Sequence, residues 1–338
     1  MNMKSTYKFS IVSAVYNTAE YLAEMIQSVI NQDIGFEENV QLILVNDGSQ
    51  DESLQICRDY EKRYPKNIIV VDVTKRGVSG ARNEGLKRVI GQYVNFLDSD
   101  DKLDNNVLSE VYKMFKDYKG FIDVVAIPLY FFGCEEGEHI LNYKFRCKRI
   151  IDIAKEYKSI QLSASSSFIS RECLIGHYFD EKLVYAEDAK LMSEIILRKN
   201  RYGVLSDTKY YYRRRHNKSS AVQQGHLNKE WYLGYIKNFS REVIQSALIT
   251  STNKKYIYYL VMYDLQWRIN LLRNMWSVLN DEEIKEFLQI FLEIIKQVKL
   301  SQILEQKNLS WGRKGILGLM KYNNSRYIES QLIRLLMR

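Results

Sequence analysis

The sequence predicts an α/β fold built on a parallel sheet, followed by an all-helical region. Within about the first hundred residues, short β-prone apolar runs alternate four times with helical patterns, as right-handed crossovers require. From residue 225 onward only amphipathic helical patterns remain. The ligand-binding end of the sheet is marked as well. Tyr93-Val94-Asn95-Phe96-Leu97-Asp98-Ser99-Asp100-Asp101 runs a short apolar strand straight into three carboxylates. Open α/β sheets bind ligands at the C-terminal ends of their strands.

Taken in order, Phe9 to Val15 is the first strand, and Asn17 or Thr18 can cap a helix from Ala19 to about Gln32. Val40 to Val45 is the second strand, closed by the turn Asn46-Asp47-Gly48-Ser49. A helix from Asp51 to Arg63 and a strand from Ile68 to Val73 follow. Gly77 opens a helix reaching Val89, and the strand Tyr93 to Leu97 comes fourth. Asn106 to Tyr118 is helical, and Asp123 to Tyr130 is a strand that Pro128 places near an edge or a strand end. Glu187 and Asp188 open a further helix, where acids complement the dipole whatever else they do. Leu260 to Leu272 and Glu283 to Val298 are amphipathic helices, with a basic helix near Ser325 to Arg338. The division expected is residues 1–224 and 225–338.

Composition narrows the class. No apolar run approaches the roughly 20 residues of a spanning helix, and residues 1–8 do not resemble a signal peptide. The reading is cytoplasmic, with the inner face of the cell membrane as the alternative. Cys57, Cys134, Cys147 and Cys173 are scattered, without zinc or disulfide spacing. Residues 1–200 carry 26 Lys/Arg against 30 Asp/Glu, whereas residues 201–338 carry 23 against 11. The basic half could meet an anionic surface or polymer, or could be a solvated face. No Walker A loop is present and no G-x-G-x-x-G follows the first strand, which argues against P-loop and dinucleotide enzymes.

Three loops then share one sheet edge: Tyr16-Asn17, Asp47 and the Asp98/Asp100 pair. The oxygens of Asp98 and Asp100 can converge on one hard cation, though acids there could equally cap a helix. Ser13-Ala14-Val15-Tyr16-Asn17, Val45-Asn46-Asp47-Gly48-Ser49, Gly77-Val78-Ser79-Gly80-Ala81-Arg82-Asn83 and Phe96-Leu97-Asp98-Ser99-Asp100-Asp101 together resemble the successive motifs of glycosyltransferase family 2. The resemblance covers roughly residues 8–222 and implies the GT-A fold, a Rossmann-like mixed sheet flanked by helices. It also implies a nucleotide-diphosphate sugar donor, UDP-linked by preference, and inversion at the anomeric carbon.

The resemblance distributes roles. Ala14, Tyr16 and Asp47 match base-binding positions, Arg82 the donor-site arginine, Asp98 the ribose-side carboxylate with Ser99 beside it, and Asp100 the ligand of Mn²⁺ or Mg²⁺. Where many relatives carry Asn two residues before Gly77, this chain has Lys75-Arg76, and Lys75 could grip diphosphate or face solvent. Of the acidic pair, Asp188 matches the catalytic base, with Glu187 orienting or on the acceptor side. Thr208 to Ser220 resembles the closing strand and basic loop, with Arg215 for the diphosphate and His216 for the metal. No nucleic-acid module accompanies that basic run. Ser163 to Phe168 borders the donor sugar or is a plain serine-rich loop.

Gln266-Trp267-Arg268 is not the processive Q-x-x-R-W motif, so one sugar per encounter is expected. The acceptor would be a glycan, teichoic acid or glycoprotein, lipid-linked acceptors included. The aromatic helices read first as core, with acceptor binding, homo-oligomerisation and peripheral membrane contact left open. Two other classes compete: a catalytically silent sugar-binding module, and a nucleotidyltransferase.

Overall fold

Four of the expected strands form the parallel half of the principal sheet. The computed structural model describes residues 7–215, 225–250, 253–323 and 326–336. In chain order it builds β1 (Phe9–Val15), α1 (Ala19–Ile30), α2 (Phe36–Asn39), β2 (Val40–Asp47), α3 (Ser53–Arg63), β3 (Ile68–Val73), α4 (Gly77–Leu86) and β4 (Tyr93–Phe96). Then come β5 (Lys102–Leu103), α5 (Val107–Asp117), β6 (Val124–Ala126), β7 (Leu129–Gly133), β8 (Gly137–Glu138), β9 (Arg149–Asp152) and β10 (Ser167–Ser170). The series ends with α6 (Arg171–Leu174), α7 (Glu187–Lys199), β11 (Arg201–Val204) and β12 (Tyr210–Arg214).

The principal sheet runs β3-β2-β1-β4-β10-β6-β11-β9. β3, β2, β1 and β4 are parallel, and β10 is inserted antiparallel to both β4 and β6. The sheet is therefore mixed, as the GT-A expectation has it. All of β2 and most of β1 are buried, which is why both read as nearly unbroken apolar runs. α4 lies hard against these strands: a Cβ on Gly85 would stand 2.3 Å from Val12 Cγ1 and 3.2 Å from Val45 Cγ2.

The sequence reads Asp123 to Tyr130 as one strand, but the structure breaks it. β6 belongs to the principal sheet and β7 to a second sheet, ordered β5-β12-β7-β8. Pro128 sits at the break. It has no N–H for a ladder, and its carbonyl accepts the Tyr210 N–H at 2.9 Å, where β12 begins pairing with β7.

The start of α1 is also built differently from the expectation. Thr18 occupies the cap, yet its side chain makes no capping bond. Asp51 Oδ2 accepts the Ala19 N–H at 3.0 Å and Ser53 Oγ accepts the Thr18 N–H at 3.0 Å. Asn17 (φ 50°) accepts the Gln50 N–H at 2.8 Å. The loop after β2 thus caps the helix after β1, tying two edge loops together.

Two compact units divide the described residues: 7–152, 161–181 and 187–215 in one, and 153–160, 182–186 and those from 225 to 336 in the other. In the second, a π-helical run Glu230–Arg241 precedes helices Glu242–Thr250, Lys254–Asn270, Asp281–Gln297, Leu300–Leu304, Trp311–Tyr322 and Arg326–Leu336. Asn280 and Glu283 form a capping box, so the helix starts two residues before Glu283. Tyr232, Tyr235, Tyr256 and Phe287 are fully buried here, whereas Trp267 and Trp276 are exposed. The aromatic stripe is largely core. No helix among the described residues is long and apolar enough to cross a membrane.

Candidate active site

The carboxylates after β4 take three different partners. Asp98 Oδ1 accepts Arg82 Nη2–H at 2.7 Å. Asp100 Oδ2 accepts from the Arg215 guanidinium, with Nη2 at 2.6 Å and Nε at 2.9 Å. Asp101, which sequence reasoning left without a role, is fully buried. Its Oδ2 accepts the Tyr210 hydroxyl at 2.5 Å and its Oδ1 the Arg213 N–H at 2.7 Å. The third acid thus anchors β12, the strand that delivers Arg215. Ser99 is buried as well, its Oγ accepting from the Thr18 hydroxyl at 3.1 Å, so it is committed within the fold.

Arg82 is the hub. Besides Asp98 it donates Nη1–H to Glu187 Oε1 at 3.0 Å, joining α4 to a residue 105 positions later. The Phe179 ring stands 5.1 Å from its guanidinium. Asn83 holds the Phe179 backbone at both polar atoms, donating to its carbonyl and accepting its N–H at 2.9 Å each. Burial works against the Arg82 charge, but Asp98 and Glu187 outweigh it and hold the guanidinium above its usual range.

Glu187 and Asp188 open α7 immediately after Ala186, a non-glycine residue at φ 67°. That left-handed turn costs about 1–2 kcal/mol and aims the helix start. Asp188 Oδ1 accepts the Ala189 N–H at 2.9 Å. Burial raises Glu187 and Asp188 above the ordinary carboxylate range; the Asp188 charge adds to the rise at Glu187, and Arg82 opposes both.

The nucleotide-side candidates lie at the ends of β1 and β2. Ala14 is half-buried opposite Val45, and Tyr16 is exposed. Lys75 Nζ donates to the Tyr16 hydroxyl at 2.9 Å and stands 4.0 Å from the ring centre. Those two come together. Asp47 holds the backbone at the start of α4: Oδ1 accepts the Arg76 N–H at 2.6 Å and Oδ2 the Gly77 N–H at 2.9 Å. Arg76 is paired with Glu84 and with Glu181, the latter at 3.0 Å.

Among the described residues no group of three or more His, Cys, Asp or Glu is placed to hold a metal. His216 lies outside the described residues. The Asp98/Asp100 pair nevertheless fits a hard cation that keeps other oxygen ligands from water and phosphate. One oxygen of each is taken by arginine, and among the described residues the other has no side-chain partner. Burial raises Asp100 despite Arg215, and the Asp98 charge adds to it. That excess of negative charge is what a divalent ion would relieve.

Comparison with known proteins supplies the rest. Residues 10–176 match the model of the family described as Glycosyl transferase family 2. The chain is 41% identical to the minor teichoic acid biosynthesis protein GgaB of Bacillus subtilis, over 92% of this chain and 35% of that protein. It is 35% identical to the minor teichoic acid biosynthesis protein GgaA of the same organism, over 93% of this chain and 72% of that one. The chain thus spans about a third of the first relative and nearly three quarters of the second. Among solved structures, Staphylococcus aureus TarS 1-349 in complex with UDP-GlcNAc superposes with a TM-score of 0.74 at 21% identity, covering 98% of this chain and 90% of that one.

Proposed function

The chain belongs to glycosyltransferase family 2, with its GT-A fold, and from that premise we propose an inverting transfer of one sugar per encounter from a UDP-linked donor to a hydroxyl of a teichoic-acid-type polymer. The observation that carries the reading is the Arg82 bridge. It brings the donor-side Asp98 and the Glu187-Asp188 helix start to one guanidinium. The acceptor class follows the names of the GgaA and GgaB relatives, and the donor follows the UDP-GlcNAc complex of TarS.

In this mechanism the acceptor hydroxyl attacks the anomeric carbon in line and the nucleotide diphosphate leaves from the opposite face. A hydroxyl is a weak nucleophile, so Asp188 takes its proton as the bond forms. A carboxylate raised by burial suits a base working near neutrality. Glu187, fixed by Arg82, orients the acceptor side. Tyr16 and Lys75 contact the nucleotide end, and Arg215 faces the leaving diphosphate. A divalent cation, Mn²⁺ or Mg²⁺, held at Asp100 beside Asp98 would offset the charge gathering on that leaving group.

The test is donor turnover. UDP-, GDP- and CDP-sugars are incubated with Mn²⁺, with and without EDTA, and nucleotide diphosphate release is followed. EDTA-sensitive release from a UDP-sugar is expected. Asp188→Asn should bind UDP as before and lose roughly 10²–10⁴-fold in turnover. Full turnover by that variant would remove Asp188 as the base. Pyrophosphate release from a nucleoside triphosphate would move the protein to the nucleotidyltransferases.

A further inference from the structure

The helix Trp311–Tyr322 of the second unit is apolar on both sides. Its inner face is ordinary, with Leu317 and Met320 buried in the helical core. Its outer face is not. Trp311, Leu319 and Tyr322 are 77%, 62% and 70% exposed. At about 3.6 residues per turn they fall, with Gly312 and Gly315, within one arc about 100° wide. A Cβ added at either glycine would meet nothing within 4 Å, so the arc is uncovered among the described residues.

No charged side chain stands on that arc. The cations of the helix lie to its sides and are engaged there. Arg313 Nη1 donates to Asn270 Oδ1 at 2.5 Å, Lys321 Nζ donates to the Lys296 carbonyl at 2.6 Å, and Lys314 Nζ stands 4.6 Å from the centre of the Trp311 ring. A surface helix normally turns polar residues outward, and a helix apolar all round is one that something covers.

The charge of the surrounding chain favours one kind of cover. Residues 299–338 carry 8 Lys/Arg against 2 Asp/Glu, a net of +6. A second copy meeting this face across a two-fold axis would set that excess against itself. An anionic bilayer has the opposite sign and accepts apolar side chains as well. Trp and Tyr suit its interface, each with an apolar ring and a polar tip. The helix has 12 residues and so is about 18 Å long, well short of the roughly 30 Å hydrocarbon core. It can lie along the interface but cannot cross it.

We infer that the face formed by Trp311, Leu319 and Tyr322 docks on an anionic lipid surface, to which the surrounding cations draw the protein. None of these residues belongs to the proposed transfer chemistry. Lipid binding therefore stands or falls apart from Asp188 and the donor site.

The experiment is sedimentation of the full chain with vesicles of phosphatidylcholine alone, and of phosphatidylcholine and phosphatidylglycerol in equal parts. Partition onto the anionic vesicles should be about tenfold stronger, and that excess should vanish as salt rises from about 0.1 to 0.5 M. Leu319→Ser combined with Tyr322→Ser should weaken partition about tenfold, and Leu319→Glu, which sets a carboxylate against the lipid anions, at least as much. Both changes fall on exposed side chains, so melting temperature and UDP-sugar turnover should match the parent. In Trp311→Phe, quenching of tryptophan fluorescence by brominated acyl chains should fall about twofold or more.

No sedimentation with the anionic vesicles would overturn the inference. So would salt-sensitive binding that all of these variants leave unchanged, because charge elsewhere would then suffice. A dimer in analytical ultracentrifugation that Leu319→Glu dissolves would give the face to a second copy and overturn it as well.

Discussion

Arg82 and Arg268 are both almost wholly buried, at 5% and 1% exposure, and their charges are met in opposite ways. Arg268, in the helical unit, is satisfied locally. Its Nη1 donates to Asp264 one turn earlier at 3.0 Å, its Nε to the Trp231 carbonyl at 2.7 Å, and the Tyr235 and Trp231 rings stand 3.2 and 4.2 Å from its guanidinium. One cation meets one anion and two ring faces. Arg82 instead bonds two carboxylates from distant elements and lies in the field of a third, Asp188. Burial pushes Glu187 and Asp188 up, the neighbouring carboxylate charges add to the rise, and Arg82 opposes it without cancelling it. A balanced buried ion pair holds a fold, whereas an unbalanced one, set where a ligand can enter, is poised for proton chemistry.

The comparison can be broken from either side. Arg82→Met carries the largest expected effect, a loss of about 10³-fold in transfer, equivalent to roughly 4 kcal/mol in the barrier, in protein that still folds. Turnover within a few-fold of the parent would mean that Arg82 is structural in the manner of Arg268. Next comes Arg268→Met, which leaves Asp264 without its cation and should lower stability by about 3 kcal/mol in urea unfolding. The double change Arg268→Met with Asp264→Leu should recover most of that, because a balanced pair can be replaced by apolar packing. Failure to recover would show that the carbonyl bond and ring contacts dominate.

The smallest effect concerns Asp188→Asn, read now as stability. A carboxyl raised on folding stabilises most below its unfolded pKa, and that contribution is lost as pH rises through its folded value. Removing the charge should therefore stabilise the protein at pH 8 by about 1 kcal/mol, or roughly 2–4 °C in Tm, and leave pH 4 little changed. A variant that melts lower at pH 8 would contradict the unbalanced cluster.

Much of this was legible beforehand because strand edges and acids announce themselves. β1 and β3 fall within the expected bounds, and the helix-opening pair Glu187-Asp188 starts α7 as expected. What was not legible depends on contacts far apart in the chain. Asp101 looks like its neighbours in the motif, and only the pairing of β12 reveals it as an anchor. Asp47 is matched to the nucleotide base by resemblance, but its hold on the Arg76 and Gly77 N–H groups at the start of α4 is a tertiary contact that no local pattern announces. Asn95 reads as a polar residue in a strand, and nothing local says that its partners, the Ser165 and Ser167 carbonyls, lie 70 and 72 residues away. Pro128 was visible as a mark of an edge or a strand end, but that it divides the run between two sheets was not.

Gly85 touches none of these groups, yet it stands one turn after Arg82 on α4 and is backed by Val12 and Val45. A methyl group there would act as a wedge, tilting the helix off two strands whose ends carry Tyr16 and Asp47 and dragging the arginine with it. In a saturation-mutagenesis map, position 85 should score like an active-site residue while the exposed Val78 on the same helix tolerates exchange. Libraries meant to retune sugar choice would do best to keep the inner face of α4 constant and draw their diversity from the loops.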